Sequence, residues 1–401
     1  MDAKALAPDE QLLRRLFGQQ RPTITMFLQN WEKCVFKAQF PSTAGESMPA
    51  KVVRLQIVEK ECQSLSTIAA IQQIAATVIP DLVPKLYEVG TIDDSRGRML
   101  HFSIAEFVDG RTLQDVWWEL NASAQDAIVE QLGEVIKKLH TVQPSAVPHG
   151  TGGRLGEQLE QPGVFGGPHT GFMNTGSDLL ASIMEQRKLK KQFCTIETTS
   201  DPEGITIQSN FEDLGALTIQ KADSDKWSEE AVLCHNDLNP RNIIIRQQES
   251  QDGTIEHRLA AIIDWELAGF YPASYELSLQ DTYLSIGNQH LFYYLKLKSR
   301  MRNLVPRTLS QIQLLKANEL LYESQQRHQR NGTNISAHIR EMFIEYFHLA
   351  RDDDPYVGWI SELNDNDLPP WSGEAAQKME EDVIQAMLVK RQKAKVQQVA
   401  A

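Results

Sequence analysis

The sequence is short of cysteine. Its four, Cys34, Cys62, Cys194 and Cys234, lie far apart, with no C-x-x-C and no neighbouring histidine at zinc spacing. That excludes a disulfide-stapled scaffold and a structural zinc module, and it fits a reducing compartment. Positive charge is also scarce. The formal net charge is −13, which argues against a nucleic-acid surface. The densest basic run, Arg187 to Lys191, reads as a solvated helix end. No stretch of eighteen apolar residues occurs, so no membrane span is expected. The first twenty residues contain Asp2, Asp9 and Glu10 and no apolar core, so neither a secretory nor a transit peptide is expected. Three glycosylation sequons, beginning at Asn121, Asn331 and Asn334, therefore carry no weight. What remains is a cytoplasmic protein of 401 residues, 41% apolar and 23% charged, long enough for two lobes.

The two halves differ in pattern. After an amphipathic helix over 9–18, β-type residues dominate 23–28, 33–40 and 50–58, joined by turn-forming segments. A helix is expected over 58–77, with Leu65, Ile68, Ile71 and Ala75 inward and Gln72 a polar interruption. Glu61 falls on that inward face. Two more strands, 85–91 and 98–107, flank a turn at Asp93 to Gly97. Past Ala105 to Gly110 the pattern turns helical, with Thr112 a cap for 113–120 and a strong amphipathic helix over 124–140. Residues 144–176 are rich in Gly and Pro and read as surface loop. The run Gly150 to Gly156 has Leu155 where a G-x-G-x-x-G needs glycine. A helix is expected over 177–193, helix or loop over 195–226, and helix over 274–302, 308–329, 335–350 and 374–397.

The chemistry concentrates in Cys234 to Ile245, where His235, Asp237 and Asn242 stand between two apolar runs. A further apolar run ends in Asp264. The pattern H-x-D-x-x-x-x-N resembles the catalytic loop of kinases. Phosphoryl transfer needs a group to orient the attacking hydroxyl, metal to neutralise charge, and a cation for the phosphates. Asp237 suits the first task. Asn242, a hard oxygen ligand, and Asp264 suit the second, with ATP and Mg2+ as the implied cofactors. His235 suits bracing of the loop.

His235 to Ile243 and Ile263 to Gly269 together resemble the aminoglycoside phosphotransferase and choline kinase superfamily more than protein kinases. The likeness runs over about 20–350 and includes Ala105 to Gly110 and Leu139-His140. It implies an α+β, two-lobed protein-kinase-like fold, with a small antiparallel β-rich N-lobe (1–108) and a large, mostly helical C-lobe (109–401). It also implies a hinge, at Glu106 and Val108, whose backbone takes adenine, and a small-molecule hydroxyl as acceptor. The cation is Arg54 rather than Lys51, because the residue two before it, Val52, roofs the base, whereas Pro49 does not fit that role. Glu61 is the expected partner of Arg54. Glu266 and Tyr271 are acceptor-side candidates. The acidic run Asp352 to Asp367, with Trp359 and Trp371, reads as a solvated loop before it reads as a wall for a cationic substrate.

One feature departs from the family pattern. The turn between the first two strands, Gln29 to Glu32, has no glycine to fold over phosphates. That keeps open a kinase-like nucleotide-binding scaffold with weak or no catalysis. A protein kinase is disfavoured, since no A-P-E follows Asp264.

Overall fold

In the computed structural model the described residues are 5–400, apart from 42–47, 58–64, 148–153, 188, 190, 250–252, 254, 283, 285–289, 333, 364–368 and 370. The N-lobe is a five-stranded antiparallel sheet. Its strands are β1 (Thr23–Gln29), β2 (Lys33–Gln39), β3 (Lys51–Ile57), β4 (Leu86–Asp93) and β5 (Met99–Glu106), in the order β1-β2-β3-β5-β4. The period of two divides its faces. Cys34, Phe36, Ala38, Val53, Leu55, Leu100, Phe102 and Ile104 point into one core, closed by Leu12 and Phe17 of helix α1 (Glu10–Phe17). Asp9 caps α1 through the Leu12 N–H at 2.8 Å. The opposite face carries Lys33, Val35, Val52 and Arg54 and looks onto a cleft. β1 and β2 lose register between Met26 and Leu28, a bulge at Phe27.

Helix α2 (Leu65–Val78) buries Leu65, Ile68, Ile71, Ile74 and Ala75 in the main core of the molecule, which continues into the C-lobe. The polar Gln72 on that helix is satisfied by the Pro84 carbonyl at 2.8 Å. The chain leaves β5 through Phe107 to Gly110 and pairs Arg111–Thr112 with Ile244 and Ile245. Gly110, at φ 152°, is required there. A Cβ would lie 2.6 Å from the Ile245 carbonyl oxygen and from the Ile244 side chain. The helix Ala122–Leu139 follows, with Asn121 at its N-cap and Ile128, Leu132, Ile136 and Leu139 inward.

Three regions differ from the sequence expectations. Residues 195–226 hold a three-stranded antiparallel sheet, Cys194–Ser200, Glu203–Ser209 and Ala216–Gln220. Its β-branched Ile and Thr residues are the strand signal, with alternate ones such as Ile205 and Ile207 buried. Residues 144–176 hold a hairpin, Phe165–Gly167 and Gly171–Met173, that joins Gly269–Pro272 and Ala231–Cys234 in a four-stranded sheet. Glycine, which weakens an isolated strand, is needed here for contact. A Cβ on Gly269 would sit 2.6 Å from the Gly166 carbonyl oxygen. The region after Asp264 is not all helix. The span 274–302 divides into Ala273–Thr282 and Leu291–Met301, and Leu349–Arg351 pairs with Trp359–Ser361. Helices Leu309–Asn331, Ile335–Tyr346 and Gly373–Ala400 complete the lobe. Trp359 and Trp371 are buried in a third core with Phe343 and Phe347, so they do not form a substrate wall. Asp354 is engaged by Arg307 at 2.8 Å; Asp365 and Asp367 lie outside the described residues, as does most of Gly150 to Gly156. No described helix is long and apolar enough to cross a membrane.

Candidate active site

The strand Ala231–Cys234 delivers the chain into a loop whose backbone is held by buried side chains. Glu276, fully buried, accepts the N–H groups of His235 and Asn236 on one oxygen, each at 2.8 Å. Its other oxygen meets His140 Nε2 at 3.2 Å. Burial opposes the charge on Glu276, but the His140 hydrogen bond and charge and the Asn236 N–H outweigh it and hold the carboxyl below its usual range. Asn236 adopts φ 65°, a left-handed conformation that Asn tolerates, and its amide donates to the Leu267 carbonyl at 2.9 Å.

His235 is fully buried, edge-on to Trp265 with ring centroids 4.6 Å apart. Its Nδ1 accepts the Asp237 N–H at 3.2 Å, which makes Nε2 the protonated nitrogen that donates to the Ile263 carbonyl at 3.1 Å. Burial lowers its pKa, and the nearby carboxylates oppose that only in part. His235 is thus a neutral brace between the loop and the strand that ends in Asp264.

Asp237 is 4% exposed. Its Oδ2 is held by Asn242 Nδ2 at 2.7 Å and by Arg241 at 3.3 Å. Its Oδ1 is buried and, among the described residues, has no hydrogen-bond partner. The Asn242 amide also donates to the Asp237 carbonyl at 3.0 Å, so its nitrogen is fully committed, while no group among the described residues is bonded to its oxygen. Asp264 sits at φ 64°, ψ 63° at the start of a 3-10 turn, Trp265–Leu267. Burial, then the Glu266 charge, raises the Asp264 carboxyl, and Lys33 and Arg54 counter only part of that.

Between the lobes lies a cleft of about 640 Å³. Val35 and Val52 line it from the sheet, Ile244 and Ile263 from the C-lobe, and Phe107 and Val108 from the connection. Arg54, Glu106, Asn242 and Asp264 also line it. The N–H groups of Glu106 and Phe107 are taken by the carbonyls of Lys85 and Ala50 at 2.8 and 3.2 Å. Among the described residues no protein group takes the Val108 N–H. Phe27, turned by the β1 bulge, stacks on Phe107 with centroids 6.3 Å apart. Lys51 is elsewhere, over the rings of Phe40 and Tyr87.

The model of the phosphotransferase enzyme family matches residues 55–280, more than half of the chain. The chain belongs to this family. Among solved structures it is similar to a streptomycin–ATP complex of the aminoglycoside phosphotransferase APH(2")-IIa, at 13% identity over 80% of this chain and 90% of that one, TM-score 0.37. It is also similar to an aminoglycoside-3'-phosphotransferase of type VIII, at 12% identity over 79% of this chain and 98% of that one, TM-score 0.40. No curated protein matches it.

Within this family member the sequence expectations fall out unevenly. Asp237, Asn242 and His235 share one loop, and Asp264 closes the same end of the cleft as Arg54, with Arg54 Nη1 3.7 Å from Asp264 Oδ1. The expected partner of Arg54, Glu61, lies outside the described residues. The carboxylate that Arg54 does meet is Glu266, at 2.6 Å. Glu266 is therefore a cation-side group rather than an acceptor-side one. Tyr271 is corrected too. It is fully buried, stacked on Tyr275 at 4.6 Å and bonded to Thr170 at 2.7 Å, so its hydroxyl faces protein. Two residues carry the site without having been singled out, Glu276 and Lys33. The Lys33 Nζ lies 3.0 Å from Glu266. The two-residue alternation of β2 puts Lys33, whose register partner is Gln56, on the same face as Val35, whose register partner is Arg54, and that alternation is the sequence signal for it.

Proposed function

We propose that the protein is an ATP- and Mg2+-dependent O-phosphotransferase that moves the γ-phosphoryl group to a hydroxyl of a small molecule. The observation that carries this is Asp237. One of its oxygens is anchored by Asn242 while the other is buried and has no partner among the described residues, which suits a carboxylate waiting for an acceptor O–H. In this reading the hydroxyl proton goes to Asp237 Oδ1 as the acceptor oxygen bonds to the γ-phosphorus. The bond to the β–γ bridging oxygen breaks, and ADP leaves. The donor set fits a hard cation: the uncommitted oxygen of Asn242 and the carboxylate of Asp264 would hold Mg2+. The metal supplies neutralisation of charge on the transferring phosphoryl group.

Arg54 takes the nucleotide phosphates, Val52 roofs the base, and the Glu106 carbonyl and Val108 N–H meet the adenine edge. The nucleotide side then comprises 1–108 and the catalytic side 109–401. A cytoplasmic setting suits an enzyme that draws on ATP. An ATP-consumption screen against a panel of small hydroxyl compounds, with Asp237→Asn as the control, tests the proposal. Turnover that needs both an acceptor and Asp237 supports it, and equal turnover by the variant refutes it. The Asn30 side chain, which closes the first turn in place of glycine, favours a second reading, a nucleotide-binding scaffold without transfer. Thermal stabilisation by Mg-ATP with no turnover on any acceptor is the outcome that selects it.

A further inference from the structure

A glycine-rich turn holds phosphates with backbone N–H groups. The first turn of this sheet is built so that it does not. Asn30 Oδ1 accepts the N–H of Glu32 at 2.9 Å and of Lys33 at 2.6 Å, an Asx-type closure. The Asn30 N–H donates to the Lys33 carbonyl at 3.0 Å, and the Glu32 carbonyl accepts from Ile57 at 3.0 Å. Three N–H groups of the turn, those of Asn30, Glu32 and Lys33, are thus engaged within it, and the Asn30 and Glu32 carbonyls are taken by Leu6 and Ile57.

Charge stands at the same place. Lys33, the first residue of β2, lines the cleft with Arg54. Both cations converge on one atom, Glu266 Oε2, at 3.0 Å from Lys33 and 2.6 Å from Arg54. Neither cation is saturated by that oxygen. A lysine ammonium carries three donors, and Arg54 Nε is buried with no partner among the described residues. Glu266 is two residues from Asp264, so the convergence point adjoins the carboxylate assigned to the metal. The carboxylate oxygen marks where an anionic oxygen is held by two cations from one sheet face.

We propose that Lys33 is a phosphate-binding residue of the nucleotide site, replacing with its ammonium the amide cradle that the turn lacks. In this role, phosphate oxygens of the nucleotide compete with Glu266 for Lys33 and Arg54. The proposal rests on the ATP reading above, and deepens it by naming what grips the polyphosphate.

Calorimetric binding of ATP, with and without Mg2+, and of adenosine to the full chain tests it. The variants are Lys33→Met, Lys33→Arg and Glu266→Gln. The expected result is that Lys33→Met weakens ATP binding about tenfold or more, leaves adenosine binding unchanged, and is largely rescued in Lys33→Arg. Glu266→Gln, which removes the competing charge, is expected to tighten Mg2+-free ATP. Parent-like ATP affinity in Lys33→Met overturns the role of Lys33. Equal loss of ATP and adenosine overturns it as well, because that pattern reports a damaged fold. Unchanged or weaker Mg2+-free ATP binding in Glu266→Gln overturns the competition. A parent protein that binds neither ATP nor adenosine refutes the nucleotide reading itself, a result distinct from the other three.

Discussion

The loop around Asp237 and the cation pair of Lys33 and Arg54 face each other across one cleft and are built in opposite ways. Around Asp237 the supports are buried and hydrogen-bonded from within the C-lobe: Glu276 beneath the backbone, His235 against Ile263, Asn242 on Oδ2. Across the cleft, Lys33 and Arg54 stand on strands, part-exposed, and share one carboxylate from the other lobe. Buried polar networks fix geometry, because a broken member leaves a costly unpaired group. Part-buried ion pairs that share a partner place charge and leave donors free to exchange it. The difference matches the tasks assigned: a proton acceptor needs exact placement, whereas polyphosphate binding needs charge that can change partners.

Four experiments would break or sharpen that contrast. The largest effect is expected for Asp237→Asn. Phosphoryl transfer should fall about a thousandfold, with nucleotide affinity and thermal midpoint near the parent's, read by turnover, calorimetry and thermal unfolding. Loss of the fold instead would mean that Asp237 is there for structure. Next is Glu276→Ala, which leaves two buried N–H groups and His140 without their anion. A cost of about 3 kcal/mol or more is expected in denaturant unfolding, together with loss of transfer. A cost below about 1 kcal/mol would show that the loop holds itself.

Arg54→Met should behave in the reverse sense. ATP affinity is expected to drop about tenfold, while unfolding stability falls less than in Glu276→Ala, because Glu266 keeps Lys33 as a partner. If stability falls as far as in Glu276→Ala, the two sides of the cleft are not different in kind. The smallest effect concerns pH. Burial holds the His235 imidazole neutral, below its ordinary value of 6.5. The unfolded chain therefore takes up a proton that the folded chain refuses, and stability declines as pH falls through 6.5. Titrating the denaturation midpoint from pH 7.5 to 5.5 should show that slope. His235→Asn should reduce it by about one proton's worth, at most about 1.4 kcal/mol per pH unit. His290 and His169, lowered by burial for the same reason, contribute to the remainder.

The arrangement around Asp237 was legible in the chain because it is local. Asp237 and Asn242 lie five residues apart on one loop, and their spacing alone brings the amide to the carboxylate. The five strands of the N-lobe were legible from alternation. The sheet at 194–220 was read as helix or loop because its strands are weakly patterned, although β-branched residues fill them, and the hairpin at 165–173 was read as loop because its glycines serve a contact with Gly269 that no local pattern records. Glu276 is in plain view ten residues after Glu266, yet nothing local says that one supports a backbone and the other meets two cations.

The sequence by itself determined the kinase-like order of lobes, the loop from His235 to Asn242 and the strand end at Asp264, because each is written in short-range spacing and hydrophobic period. Only the tertiary structure decided which charges meet. Lys33 and Arg54 reach Glu266 across more than two hundred residues. Such a pairing depends on strand register, on the bulge and turn of β1 and β2, and on how the lobes close. Those are set by packing of distant surfaces, and electrostatic partners follow from that packing rather than from the order of residues.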